Sequence, residues 1–199
     1  MHEDHSREQY FFDAPTVAKL IAFVHQFERP LLVGCPMVAK VMWEEDGDVI
    51  PVLDVDDRFS DLPGFVKWDI YRPQALGSVF QGEEWGPKGL IHTETGVEIK
   101  RRGMAPFTPD LILVDPPFYK VRPDQLFSAI RILTWGDTDT PLMIASNPAR
   151  ASAFAGTMAL FGLKPSGFKP GYVSVSPAAD IEFLAGNISV DKLACLTQP

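Results

Sequence analysis

Cysteine is nearly absent from this chain. Cys35 and Cys195 are the only two in 199 residues, and they form no Cys-x-x-Cys pair. With four histidines in all, no zinc framework can be written. His2 and His5 sit on a polar N-terminal stretch and read as solvated side chains, so no metal site is expected. Such sparse cysteine suits a reducing compartment, which gives the expectation of an intracellular protein, cytoplasmic or else nuclear. A single bridge between the two stays open, although Cys35 beside Gly34 reads as a small packing residue. Long apolar runs are missing too. Nothing approaches the length of a membrane span, and residues 1–9 are polar with no apolar stretch behind them, which argues against a secretory leader. Basic charge is also short. The 18 Lys and Arg against 26 Asp and Glu leave a net charge of −8 and a pI of about 4.9. That balance opposes unaided binding to a phosphate backbone. A nucleic-acid substrate would then need a local basic patch or a partner, and a basic protein substrate fits at least as well. Internal repeats and the Gly-x-Gly-x-x-Gly fingerprint are absent as well.

What is present is an ordinary globular composition, 46% hydrophobic, 22% charged and 11% aromatic. It suffices for one domain over residues 1–199 with a sizeable core. The most informative stretch is Val114-Asp115-Pro116-Pro117-Phe118. The apolar run Leu111-Ile112-Leu113-Val114 reads as a buried parallel strand. Two prolines stop it, because they cannot continue a ladder and fix their own φ. In an open α/β sheet, ligands bind beyond the carboxyl ends of the strands. Asp115, two rigid prolines and a flat ring therefore come together in the expected crevice. These residues suit the holding of a flat amine for methylation. The Asp115 carboxylate and the Pro116 carbonyl can each accept a hydrogen bond from an NH2 group and orient its lone pair. Phe118 can stack on the attached ring, worth roughly 1–3 kcal/mol for a nucleobase. The plain alternative is a proline-stiffened turn.

The remaining chain alternates between helical and strand signals. Gln9-Tyr10-Phe11-Phe12 reads either as a segment pinned to the core or as a lid, with Gln9 making a polar contact. Asp13 is a good N-cap and Pro15 a first-turn residue for a core helix ending near Glu28. Residues 30–33 read as the first strand, and Gly34 permits close backbone approach by a nucleotide-type cofactor. Residues 37–45 read as a helix and 49–54 as a second strand. Asp54 lies about 20 residues after the glycine turn, the place for a carboxylate that binds a ribose hydroxyl pair. Residues 64–69 read as a third strand, ending in Asp69, which is placed to meet an adenine amino group. Residues 74–109 form a glycine-rich insertion with a possible β-hairpin, its arms at 90–92 and 97–99. Lys100-Arg101-Arg102 there is either a solvated cluster or a substrate-recruiting flap. A helix starting at Arg122-Pro123-Asp124, a fifth strand at 141–146 and a helix over 148–161, stopped by Gly162, follow. Residues 172–175, 181–184 and 193–196 read as an antiparallel end to the sheet. The whole spells α/β architecture, a mostly parallel, doubly wound seven-stranded sheet with an antiparallel C-terminal edge and helices on both faces.

Several of these stretches together resemble one family. Gln9-Tyr10-Phe11-Phe12, Val33-Gly34-Cys35-Pro36, Leu53-Asp54-Val55-Asp56-Asp57-Arg58-Phe59 and Asp115-Pro116-Pro117-Phe118 are similar to the N6-adenine methyltransferase-like family of class I, Rossmann-like methyltransferases. That family includes an elongation-factor lysine methyltransferase and a zinc-finger ribosomal-RNA adenine methyltransferase. The resemblance implies S-adenosylmethionine as methyl donor. It assigns Asp115, Pro116, Pro117 and Phe118 to the acceptor, and Gly34, Asp54 and Gln9 to the donor. The Gly34-x-Pro36 loop and the final Phe118 lean toward the RNA enzyme, but no cysteine-rich module accompanies them. The leading expectation is methylation of adenine N6 in RNA. The alternatives are a protein lysine acceptor and a non-catalytic scaffold that binds a partner.

Overall fold

The computed structural model describes residues 2–74, 85–86, 89–90, 107–174 and 180–197. The strands are β1 (Pro30–Val33), β2 (Val52–Asp54), β3 (Phe65–Lys67), β4 (Trp85–Gly86), β5 (Gly89–Leu90), β6 (Leu111–Val114), β7 (Leu142–Ser146), β8 (Lys164–Pro165) and β9 (Glu182–Gly186). The helices are α1 (Ala14–Val24), α2 (Pro36–Asp46), α3 (Pro123–Leu133), α4 (Pro148–Thr157) and α5 (Val190–Thr197). Proline stands at one of the first two positions of each of the first four, and its missing N–H has no partner to lose in a first turn. Asp13 caps α1 through the Thr16 N–H at 2.9 Å, and Asn147 caps α4 through the Ala149 N–H at 2.9 Å.

Seven strands form one sheet in the order β3-β2-β1-β6-β7-β9-β8. The pairs β3-β2, β2-β1, β1-β6 and β6-β7 are parallel, whereas β9 runs antiparallel to both β7 and β8. The α/β fold read from the sequence is therefore present, antiparallel edge included. Strand order reverses between β1 and β6, which places the topological switch point where Val33 pairs with Val114. Side chains alternate cleanly across the sheet. Leu32, Leu111, Leu113 and Met143 join one apolar cluster, with residues from α1, α2 and α5. Leu31, Val33, Ile112, Val114 and Ile144 join another, with residues from α3 and α4. Burial on both faces explains why β1 and β6 are continuous apolar runs.

Two expectations about the C-terminal edge fail. Leu193-Ala194-Cys195-Leu196 is not a strand but lies in α5. The start signal is Ser189, whose Oγ accepts the Lys192 N–H at 3.4 Å, followed by Asp191 in the first turn. Leu196 then packs into the core beside α1. Residues 172–174 form no full strand either. Tyr172 makes an isolated antiparallel bridge to Phe12, and the seventh strand is β8, Lys164–Pro165. An edge strand tolerates Pro165 because no outer neighbour needs its N–H. The helix expected over 148–161 ends at Thr157, and a 3-10 turn, Ala159–Phe161, leads to Gly162. Cys35 and Cys195 are not bonded to each other. The hairpin expected across Glu94-Thr95-Gly96 lies outside the described residues, apart from Leu90, which pairs with Trp85. Lys100, Arg101 and Arg102 lie outside them too.

Candidate active site

The ends of β1 and β6 meet at the floor of a cavity of about 840 Å³. The Asp115 N–H donates to the Val33 carbonyl and the Gly34 N–H to the Leu53 carbonyl, both at 2.9 Å. Gly34 has φ +70°, and a Cβ there would lie 2.4 Å from the Asp115 carbonyl oxygen. The neighbour that demands glycine is thus the backbone of Asp115. Gly34, Asp54, Asp69, Asp115, Pro116, Pro117 and Gln9 all line this cavity. Its size lies within the range of small-molecule sites, about 300–1,000 Å³.

Asp54 and Asp115 dominate its electrostatics. Burial pushes the Asp115 carboxyl well above the usual carboxylate range, the Asp54 charge adds to this, and a hydrogen bond from Tyr172 opposes it. Burial likewise raises Asp54, to about 6, against the Asp56 N–H that donates to its Oδ1 at 2.8 Å. Asp69 is half-buried, and its Oδ1 accepts the Tyr71 N–H at 2.8 Å. Burial and the two aspartate charges push the Cys35 thiol well up, so it is a packing group rather than a nucleophile.

The N-terminal segment forms one wall. Gln9 does not reach freely into the cavity. Its Nε2 donates to Asp56 Oδ2 at 2.9 Å, and its Oε1 accepts from Arg58 at 2.5 Å. Asp56 is 2% exposed and takes both Arg58 Nε, at 2.9 Å, and Arg58 Nη2, at 2.6 Å. Burial would raise the Asp56 carboxyl, but the hydrogen bonds from Arg58 and Gln9 outweigh it and hold it near about 2. The segment therefore acts as a strap tied to the loop after β2, one of the two roles its aromatics suggested.

The loop after the prolines is held from two sides. Glu8 Oε2 accepts the N–H groups of Tyr119 at 2.9 Å and Lys120 at 3.2 Å. Arg150 on α4 donates to the carbonyls of Phe118 and Val121. Phe118 itself is 4% exposed and does not line the cavity. The ring stacked near it is Tyr10, with centroids 6.3 Å apart and planes 16° apart. Tyr172 meets Phe118 edge-on at 5.9 Å.

A model of the probable N6-adenine methyltransferase family matches residues 3–176. The chain belongs to that family. The matched span contains the strap, both aspartates at the switch point and Tyr172. Membership in a methyltransferase family agrees with the α/β sheet and with the acid-bearing strand ends. No curated protein matches the chain. None of the described helices is long and apolar enough to cross a membrane.

Glu8, Arg150 and Tyr172 escape a reading of the sequence. Arg150 alone carries a signal, as the one charged residue in α4.

Proposed function

We propose that this chain is an S-adenosylmethionine-dependent N-methyltransferase acting on adenine N6 in RNA. The observation that carries the reading is that Asp54 and Asp115 line one cavity at the switch point, with Gly34 between their strands. An acid suited to ribose hydroxyls and an acid suited to an acceptor amine thus face the same space. The residues fit a nucleoside-based donor. Asp54 ends β2, where it can accept from a ribose hydroxyl pair, and Asp69 follows β3, within reach of an adenine amino group. When bound, S-adenosylmethionine supplies an electrophilic methyl group. Gln9 acts indirectly, by fixing the strap through Asp56 and Arg58.

Asp115 and the Pro116 carbonyl accept the two N–H bonds of the acceptor and aim its nitrogen. Alignment of this kind can lower a barrier by about 7–11 kcal/mol. Pro117 keeps the turn rigid, and Phe118, buried behind it against Tyr10 and Tyr172, anchors the loop from the core side. A looped or single-stranded RNA suits this cavity better than a duplex, because its base needs no unpairing. Lys100, Arg101 and Arg102 are the residues we assign to RNA contact.

One observation favours a second reading, a protein lysine acceptor. Carboxylates outnumber basic side chains around the cavity by seven to four, and the Tyr10 ring lines it. Such a setting repels phosphate and attracts an ammonium group, with a ring face at hand. The test is transfer of labelled methyl from S-adenosylmethionine into a cell extract, separated into RNA and protein. Label in RNA as N6-methyladenosine, lost by about 100-fold or more in Asp115→Ala, is the expected result. Label confined to protein replaces adenine with lysine. An active Asp115→Ala variant refutes the site.

A further inference from the structure

Among the described residues, one side chain donates a hydrogen bond to the Asp115 carboxyl. The Tyr172 hydroxyl reaches Oδ1 at 3.3 Å. Its ring is set between three others, with Phe12 at 5.1 Å, Phe118 at 5.9 Å and Tyr10 at 6.4 Å between centroids. The backbone on either side is also fixed. The Asp13 N–H donates to the Gly171 carbonyl and the Val173 N–H to the Phe11 carbonyl, both at 2.9 Å. The Gly171 N–H donates to Thr16 Oγ1 at 2.8 Å. A phenol anchored this firmly can define the orientation of a carboxylate.

We propose that Tyr172 is a positioning residue for the methyl acceptor, holding Oδ1 of Asp115 so that Oδ2 and the Pro116 carbonyl are left to the acceptor amine. This rests on the methyltransferase reading above. A carboxylate with one oxygen already engaged presents a single, directed acceptor, which excludes the alternative in which both oxygens rotate freely. The hydroxyl also favours the ionised carboxylate, which accepts from an amine better than the acid does. The groups that face Asp115 are Asp54 from the end of β2, Cys35 from the turn after β1, and Tyr172. Asp54 and burial oppose ionisation, Cys35 stays neutral, and Tyr172 is the group that counters them. The Tyr172 hydroxyl is itself pushed up by burial and by Asp115, so it remains a donor at neutral pH.

Tyr172→Phe tests this, because it removes the hydroxyl and keeps the ring. The first readout is a carbon-13 titration of aspartate carboxyls in the full chain, with Asp115 assigned from the Asp115→Ala spectrum. The Asp115 midpoint should rise by about one pH unit in Tyr172→Phe, as expected for loss of a hydrogen bond to a charged group. The second is kcat/KM against pH. Its acid limb should rise by the same amount, giving about a tenfold loss below the limb and recovery toward wild type at high pH. An Asp115 midpoint that does not move overturns the proposal, whatever the activity. So does a uniform loss of kcat with the limb in place, which is the mark of a packing residue. A midpoint that moves in Tyr172→Phe while the wild type transfers no methyl group upholds the hydrogen bond and refutes the methyltransferase reading instead.

Discussion

Gly34 and Gly47 have nearly the same backbone, φ +70° and +72°, in different surroundings. Gly47 ends α2, and a Cβ added to it would meet nothing within 4 Å, whereas one added to Gly34 would stand 2.4 Å from the Asp115 carbonyl oxygen. Gly47→Ala therefore carries only the left-handed strain of a side chain, about 1–2 kcal/mol. Gly34→Ala carries that strain and an overlap about 1 Å inside ordinary van der Waals contact at 3.4 Å. The overlap cannot relax cheaply, because both partners are backbone and the Asp115 N–H is already bonded to Val33 at 2.9 Å. Overpacking of this kind adds roughly 1–3 kcal/mol. The total for Gly34→Ala is about 2–5 kcal/mol, a fall in Tm of roughly 4–20 °C for a chain this size. Gly47→Ala should lower Tm by roughly 2–8 °C. Paired thermal melts give the difference, and donor titration calorimetry adds a second reading. Gly34→Ala should weaken donor binding by displacing Asp115 from Gly34, and Gly47→Ala should not. Equal Tm shifts with unchanged donor binding would refute the claim that glycine is needed for the contact between β1 and β6.

Asp54→Asn should weaken S-adenosylmethionine binding at pH 8, and calorimetry should show wild-type affinity falling as pH drops through about 6 while the variant stays flat. The same variant should be more stable than wild type above that pH. A raised folded-state value means that the unfolded chain gives up its proton first, so ionisation opposes folding between the ordinary 3.8 and about 6. Asp56 has the opposite sign. Its folded-state value is lowered to about 2, so its stabilisation is present above 3.8 and is lost as pH falls toward 2. Asp56→Asn should flatten wild-type acid destabilisation across that window, as read from urea midpoints at successive pH values.

The parts of this fold that the sequence announces are the parts whose causes are local. Leu111-Ile112-Leu113-Val114 must be buried on both faces, and two prolines must end it. Pro15, Pro36, Pro123 and Pro148 mark helix starts by their own geometry. The edge is harder, because β8 is two residues long and exists only by pairing with β9. Leu193-Ala194-Cys195-Leu196 is apolar enough for a strand, and the Ser189 cap decides for helix. Gly34 was legible as a residue needed for close approach, but its partner was not, since Asp115 lies far along the chain. Tyr172 could not be assigned a role at all. Its bond to Asp115 spans 57 positions and depends on the bridge that fastens it to Phe12.

That dependence bears on how much a short motif can determine. Proline fixes φ at Pro116 and Pro117, which makes the turn stiff but does not say where it points. Its direction comes from residues outside it. Gly34 lets the turn settle against β1, Arg150 holds the carbonyls of Phe118 and Val121, and Glu8 holds the N–H groups of Tyr119 and Lys120. Glu8 belongs to the strap, and the strap is tied through Gln9 to Asp56, two residues past Asp54. The wall that carries the donor-side acid and the loop that carries the acceptor-side acid are thus fastened by one segment. A change that frees this strap must disturb both ends of the cavity together, and it cannot loosen the acceptor loop while leaving the donor side untouched.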